Sequence, residues 1–546
     1  MHDTNEPMRL SPVRWLSPKE LLRTGARAAV AGVFGAYADK RELQQGPLFE
    51  QEVFRHGRDG QDLWLDYVSD LGDGFDATYS VASLLATDLR PVGAASVLRR
   101  GDVLVMGGDQ VYPYADVTTY EQRTTRVYEA AFPPTDGTPA SGRPALYAVP
   151  GNHDWYDGLT AFLRVFGQRN DIGGWQTRQR RSYFALRLPH RWWLLAVDIQ
   201  LDTYIDLPQL DYFRGIAAGI EPDASIILCT AVPCWYDESG ASTERLSYFL
   251  KHAMGPRAEQ VRLVLTGDVH HYARYQADAP GGPLLVTAGI GGAYTSATHL
   301  LPDEIVLSAR FTRAEAGHAE REPYRRVGAT WPPAADSRTA ARGVLWRLPV
   351  RNWTLLPVLG ALHGLLGASI LAQAWLWTVV VLAVAGAGSV AFTRTRSVGR
   401  TRRLAYGATL AAVQMVAAAA VVWLFAAVIR PWPWPARAAA VVATIVVGGI
   451  VAAILLAAWL LTVSRWRVNE NELFAAQSLD TYRGFLRLRL DADGELTVFP
   501  VGLRRPARRW EPGGDTGPRL VPARGERLDF ELIEAPVRVS RHGGGA

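Results

Sequence analysis

Apolar and polar positions divide this chain into two kinds of territory. Between residues 60 and 300, short strand-like apolar runs stop abruptly, and each hands over to a polar turn. "DYVSD" closes one run at Ser69 and places Asp70 and Asp73 on a glycine-rich turn, with a helix predicted from about Thr78. "DVLVMGGD" runs into Gly107, Gly108 and Asp109. "LYAVPGNHDWYDGL" stops at Pro150-Gly151 and presents Asn152, His153 and Asp154 together. "VRLVLTGDVHHYARY" ends its strand at Thr266 and offers Asp268, His270 and His271. In an open α/β sheet the carboxyl ends of the strands are where ligands bind, so an α/β domain with these residues on one edge is expected.

The second territory is residues 353 to 463. "WTLLPVLGALHGLLGASILAQAWLWTVVVLAVAGAGSVAF" carries no charge over forty residues. At ~1.5 Å per helical residue that is about two crossings of a ~30 Å hydrocarbon core. A break near Gln373 would make a helical hairpin, and two further apolar runs follow, so four transmembrane helices are predicted. The link "TRTRSVGRTRR" carries Arg394, Arg396, Arg400, Arg402 and Arg403, which places it in the cytoplasm with both termini. "RPWPWPAR" would then face outward, with Trp432 and Trp434 at the interface. The spans contain no Asp, Glu, Lys or Arg, which argues against an ion-transporting role.

Beyond the last span, "GFLRLRLDADGELTVFPVGL" alternates around an Asp-Gly turn and reads as a hairpin, a small β appendage together with "RLDFELIEAPVRV". The expected division is an amino-terminal segment (1–46), a catalytic-type domain (47–310), a linker (311–352), the four helices (353–464) and a cytoplasmic β-rich tail (465–546). A packing helix is expected within residues 26–42, and no secretory signal is read at the start. Only Cys229 and Cys234 are present, which excludes a disulfide framework and suits the cytoplasm. The net charge is only +5, and no nucleic-acid partner is expected.

Oxygen donors mixed with imidazole suit manganese, iron or zinc better than calcium. In that order, Asp70, "GGD", "GNHD" and "GDVH" resemble the calcineurin-like metallophosphoesterases, whose pattern is D-x-H, G-D, G-N-H-[D/E], a lone His and G-H-x-H. The resemblance covers residues 60 to 300 and implies a β-sandwich flanked by helices, with two divalent metals at the loop ends. Carried over by position, Asp70, Asp109 and His270 hold one metal, and Asp109, Asn152 and Asp268 hold the other, with Asp109 bridging. His153 is the acid that protonates the leaving oxygen. Three departures stand out: Gly72 replaces the first-motif His, Asp268 replaces the first His of the last motif, and Thr230-Ala231-Val232 offers no lone His. Carboxylates in place of imidazoles harden the site and favour manganese or iron over zinc.

Other polar residues flank these loops. Asp73, Asp154 and His271 are read either as helix caps or as residues that orient ligands. Arg164, Arg169 and Arg274 are candidates for gripping phosphate, and His299 follows the glycine-rich run "GIGGAYTSATHL". Two function classes follow. One is a membrane-anchored phosphoesterase acting on a phosphate mono- or diester, on a small molecule or a lipid head group. The other is a degenerate domain that binds a phosphorylated ligand and signals through the helices.

Overall fold

A computed structural model describes residues 7–34, 52–91, 97–134, 142–199, 205–236, 241–278, 281–309, 316–317, 320–394, 400–429, 433–514 and 517–541. The chain forms two compact units, one of residues 1–13, 26–334 and 480–546, the other of residues 14–25 and 335–479.

Two nine-stranded sheets dominate the first unit. One runs, in spatial order, β1 (Val53–Arg55), β7 (Phe184–Arg187), β8 (Trp192–Val197), β9 (Ser225–Thr230), β10 (Val261–Thr266), β12 (Leu284–Ala288), β11 (Tyr272–Ala277), β14 (Arg321–Trp331) and β13 (Glu304–Ser308). The other runs β19 (Phe530–Leu532), β16 (Leu496–Leu503), β15 (Arg483–Leu490), β2 (Leu63–Val68), β3 (Val103–Met106), β4 (Ala145–Ala148), β6 (Trp175–Thr177) and β5 (Asp171–Ile172), with β20 (Val537–Val539) also on β16. A separate ribbon pairs β17 (Trp510–Pro512) with β18 (Leu520–Pro522).

Strand periodicity explains the layering. Leu63, Leu65 and Tyr67 of β2, Val103 and Val105 of β3, and Leu486, Leu488 and Leu490 of β15 share one buried cluster with Trp192, Leu194 and Ala196 of β8 and with Leu263 and Leu265 of β10. These are every second residue, so each strand turns one face to a core held between the sheets. The intervening residues Trp64, Val68, Leu104 and Met106 face a second cluster with helix α2 (Phe75–Leu85) and α3 (Thr160–Phe166). On the opposite side, Trp193, Leu195, Ile226 and Leu228 pack with α4 (Leu207–Gly219) and α5 (Ala241–Phe249). The result is a sandwich of two sheets with helices outside.

One expectation is overturned here. The carboxyl-terminal hairpin is not an appendage: β15 pairs antiparallel with β2 along Leu486–Leu490 and Tyr67–Leu63, in the middle of the second sheet. Arg487 on the outer face is fully buried and grips Asp66 in a two-pronged ion pair, Nε–Oδ1 2.7 Å and Nη2–Oδ2 3.0 Å. It also donates to the carbonyls of Thr87 (3.0 Å) and Leu98 (3.1 Å). Residues 47–310 therefore lack two core strands of their own domain, and the chain returns to supply them after its apolar helices.

The second unit holds α6 (Ala334–Arg342, from Ala335 onward), α7 (Val344–Arg351), α8 (Leu355–Leu371), α9 (Trp375–Phe392), α10 (Arg400–Ile429), α11 (Trp434–Val463) and α12 (Glu470–Ala475), numbered after α1 (Pro18–Phe34), which passes through both units. Among the described residues three helices are long and apolar enough to cross a membrane, and up to four if α7 and α8, bent by 90°, count as one span. The hairpin break falls at Gln373, where the backbone is left-handed (φ 55°). Glycine allows α8 and α11 to touch: a Cβ on Gly360 would strike the Ile445 carbonyl, and one on Gly449 the Leu356 carbonyl. Backbone approach of this kind is how apolar helices associate without a hydrophobic drive. The arginine link at 395–399 and the turn at 430–432, including Arg396 and Trp432, lie outside the described residues, as do residues 35–42 of the expected amino-terminal helix.

Candidate functional site

Strands β2, β3 and β4 run parallel in one sheet, and β9, β10 and β12 run parallel in the other. Their carboxyl ends carry the loops that the sequence singles out. These loops are knitted by backbone hydrogen bonds: Asp70 N to Gly108 O (2.9 Å), Leu71 N to Asp109 O (2.9 Å), Ala293 N to Asp70 O (2.8 Å) and Gly267 N to Ala231 O (2.9 Å). Asp70, Asp109 and Asp268 all adopt left-handed backbone, with φ of 64°, 49° and 62°. That conformation costs a non-glycine residue ~1 kcal/mol or more and concentrates at sites that need a side chain aimed in a fixed direction. Gly151 has no room for a Cβ, which would strike the Asp109 carboxylate.

The side chains meet at Tyr112. Its hydroxyl lies 2.9 Å from Asp70 Oδ1, 3.1 Å from Asp109 Oδ2 and 3.1 Å from His270 Nε2. His270 Nε2 is itself 3.4 Å from Asp70 Oδ1. Asp109 Oδ1 accepts from the His153 backbone N–H (2.9 Å), and Asp70 Oδ2 accepts from Ser69 Oγ (2.8 Å) and the Asp268 N–H (3.0 Å). Burial pushes the Asp109 carboxyl well above the usual carboxylate range, and Asp70, Asp154 and Asp268 push it further. Burial likewise raises the Tyr112 hydroxyl, with Asp109 and Asp70 adding to it.

His153 Nδ1 is 2.7 Å from the Pro113 carbonyl. Because a carbonyl only accepts, Nδ1 carries the proton of the neutral ring, and Nε2 is left as an acceptor. Burial lowers the imidazole to about 4, against the hydrogen bond that its Nδ1–H donates to the Pro113 carbonyl, which raises it. Asp154 binds two loops at once, accepting from Gly151 N (2.8 Å), Gln110 N (3.3 Å) and the Tyr120 hydroxyl. Burial raises its carboxyl to about 7. The Asn152 amide donates to Tyr156 (3.3 Å), and Asp73 accepts from the Val13 N–H (2.7 Å). His271 packs against Tyr236, with Nε2 3.3 Å from its hydroxyl.

Arg274 is committed elsewhere. It forms a two-pronged ion pair with Glu534 (2.8 and 2.9 Å), which the sequence could not reveal because Glu534 belongs to the carboxyl-terminal segment. Its guanidinium fork is thus occupied by a carboxylate of its own chain. Arg169 pairs with Glu52 (3.0 Å), Arg164 is exposed on α3, and His299 sits in a half-buried turn.

Two residues were missed by sequence reasoning. Tyr112 stands three residues beyond Asp109 on the same loop, a spacing that reads in the sequence only as a turn. Arg483, at the start of β15, is fully buried and donates to Thr295 Oγ1 (2.7 Å), to the Thr481 carbonyl and to the Ala293 carbonyl, in the loop that bonds to Asp70. Burial lowers its guanidinium to about 10, and Asp480, Asp73 and Asp70 work to keep it charged.

Among the described residues no three His, Cys, Asp or Glu side chains form a ready-made metal cage. The donor chemistry nevertheless fits a cation: two buried carboxyl groups and an imidazole lie within hydrogen-bond reach of the Tyr112 hydroxyl, and the acidic neighbours Asp154 and Asp268 add to the crowding of carboxyl groups that a cation would relieve.

No protein-family model matches the chain, and no curated protein matches it. Solved structures that share some of its shape include GAP50, the anchor in the inner membrane complex of Plasmodium, at TM-score 0.32 and 13% identity over 43% of this chain and 74% of that one. Purple acid phosphatase PPD1 from yellow lupin (Lupinus luteus) seeds has TM-score 0.29 and 13% identity, and the alignment spans half of each chain. A dimetal phosphatase from Danio rerio has TM-score 0.26 and 10% identity over 48% of this chain and 98% of that one. Scores and identities this low lend no weight to a function, which rests on the chain's own residues.

Proposed function

We propose that this chain is a membrane-anchored, metal-dependent phosphoesterase. The observation that supports it most is the meeting of Asp70, Asp109 and His270 at the Tyr112 hydroxyl, on the carboxyl edge of both sheets, in a buried region overloaded with negative charge. In this reading Asp70, Asp109, His270 and Tyr112 hold one divalent metal, and Asp109, Asn152 and Asp268 hold a second. Manganese is favoured, with iron or zinc as alternatives. Two such ions, when bound, activate water and neutralise a phosphoryl group under attack.

The chain's own groups position and move protons. Asp154 fixes the Gly107–Asp109 and Gly151–His153 loops against each other. His153, with Nδ1 tied to Pro113, aims Nε2 at the leaving oxygen; it delivers a proton once an anionic substrate has raised its affinity for one. The substrate class is a phosphate mono- or diester, on a small molecule or a lipid head group. The arginines around residues 394–403 would place that end of the helices, and the sandwich, in the cytoplasm.

A second reading has one observation in its favour: the Tyr112 hydroxyl already ties the donors together, as in a domain that binds a phosphorylated ligand without turnover. Two variants separate the readings. Asp109→Ala is expected to lose bound manganese, whereas His153→Ala keeps it and loses hydrolysis. Full metal retention in Asp109→Ala, or unchanged hydrolysis in His153→Ala, would overturn the assignment.

A further inference from the structure

Helix α7, "VLWRLPVR", is apolar on more sides than a helix in water should be. Val344 and Leu348 are fully buried within the second unit, followed by Asn352, whose amide donates to the Ala476 carbonyl (2.7 Å). Leu345, Trp346, Val350 and, just beyond the helix, Trp353 are 38%, 57%, 72% and 57% exposed. At about 100° per residue, Leu345, Trp346 and Val350 span an outward arc of roughly 140°. Arg347 and Arg351 fall beside that arc, between it and the buried face. Arg347 is tied to Gln477 Oε1 (3.0 Å), while Arg351 is exposed, as are Arg338 and Arg342 on α6.

Orientation supplies the second observation. α7 stands at 90° to α8, the first apolar helix. It packs against α11 and is bonded to the segment that follows α11, so it sits at one end of the helix bundle. That same end carries Trp466, 53% exposed between exposed Arg465 and half-buried Arg467. Tyr406 lies against Trp466 (6.1 Å between rings), and exposed Arg402 and Arg403 stand just before it on α10. Tryptophan and tyrosine at the level where arginines gather is the composition of a membrane interface.

We infer that α7 lies flat in the bilayer surface, with Leu345, Trp346, Val350 and Trp353 sunk between acyl chains and head groups, and that the surrounding arginines bind anionic phospholipids of that leaflet. A cationic rim complements phosphate and an anionic leaflet, and the apolar arc is continuous with helices that themselves need lipid. A protein partner would have no need of both.

The test uses the full-length chain in nanodiscs holding a single copy, made either of phosphatidylcholine or of a phosphatidylcholine–phosphatidylglycerol mixture. An environment-sensitive dye is attached at Trp346→Cys, and in a second variant at Val350→Cys; the native Cys229 and Cys234 are buried. The expected result is blue-shifted emission at both positions and quenching by half or more with lipids brominated near the head group. Arg342→Gln/Arg351→Gln should lower the phosphatidylglycerol retained on detergent extraction at least twofold. Water-like, unquenched emission at both positions overturns the inference, as does a blue shift that appears only with two copies per disc and is not quenched by the brominated lipids, which would make the occupant a second chain. Equal retention of both lipids by the native chain and the arginine variant overturns the anionic preference.

Discussion

Asp66→Asn is the sharpest probe of how the carboxyl-terminal strands hold the sandwich together. The substitution is nearly isosteric and keeps an acceptor for the Gly101 N–H (3.1 Å), but it removes the charge facing Arg487. Arg487 is fully buried, so its cation is left with carbonyls only. In the native pair burial raises the Asp66 carboxyl and Arg487 offsets part of that rise, the opposition expected of a buried ion pair. Removing one partner breaks the pair at a cost of ~3 to 5 kcal/mol. For a unit of roughly 390 residues the unfolding entropy is about 0.8 kcal/mol/K, so the melting temperature should fall by about 4 to 6 °C. The assay is a thermal scan of the full-length protein at one fixed scan rate, followed by near-ultraviolet circular dichroism. Asp66 points to the helix side of β2, away from the Asp70 loop, so manganese binding below the transition should be unchanged. A fall under 1 °C would refute the reasoning, because the buried pair would then contribute nothing to joining β15 with β2.

Three further outcomes are expected. A chain truncated after Arg351 should fail to give a cooperative melt, because β2 loses its partner β15; a stable, cooperatively folded fragment would show that residues 47–310 suffice. Gly151→Ala should destabilise the protein by several kcal/mol and abolish metal binding, since the added methyl meets the Asp109 carboxylate, and wild-type behaviour in a metal titration would contradict this. His56 is held near 4 by burial, against 6.5 when unfolded, and lies 2.8 Å from the Tyr147 hydroxyl. A depressed histidine contributes stability above its unfolded value and loses it as pH falls toward 4, so about 1 to 2 kcal/mol should vanish between pH 7 and 5, after discounting for partial exposure. His56→Gln should flatten that slope, measured as melting temperature against pH; an unaltered slope would remove His56 as its source.

What the sequence disclosed and what it hid divide along physical lines. Strand-to-loop junctions at Asp70, Asp109, Asn152 and Asp268 were legible because alternation and glycine are local signals. The helix break at Gln373 was legible because uncharged length alone demanded it. The pairing of β15 with β2 was not, since Arg487 and Asp66 stand on opposite sides of the apolar helices in the chain and nothing near either residue names the other. Arg274 looked like a phosphate ligand for the same reason: its partner Glu534 is remote. Tyr112 was hidden differently. It is adjacent to Asp109, but only the left-handed backbone at Asp109 and the loop geometry bring its hydroxyl to Asp70 and His270.

Under the proposed function, the carboxylates around Tyr112 hold metal for phosphoester hydrolysis. The most direct measurement is the hydrolysis of an aryl phosphate monoester and diester by full-length protein, first stripped of metal by chelation and then titrated with manganese, beside Asp109→Asn treated identically. The expected result is no hydrolysis after stripping, recovery of at least 100-fold with manganese in the native chain, and none in the variant. Hydrolysis that survives chelation, or equal recovery in Asp109→Asn, would contradict it.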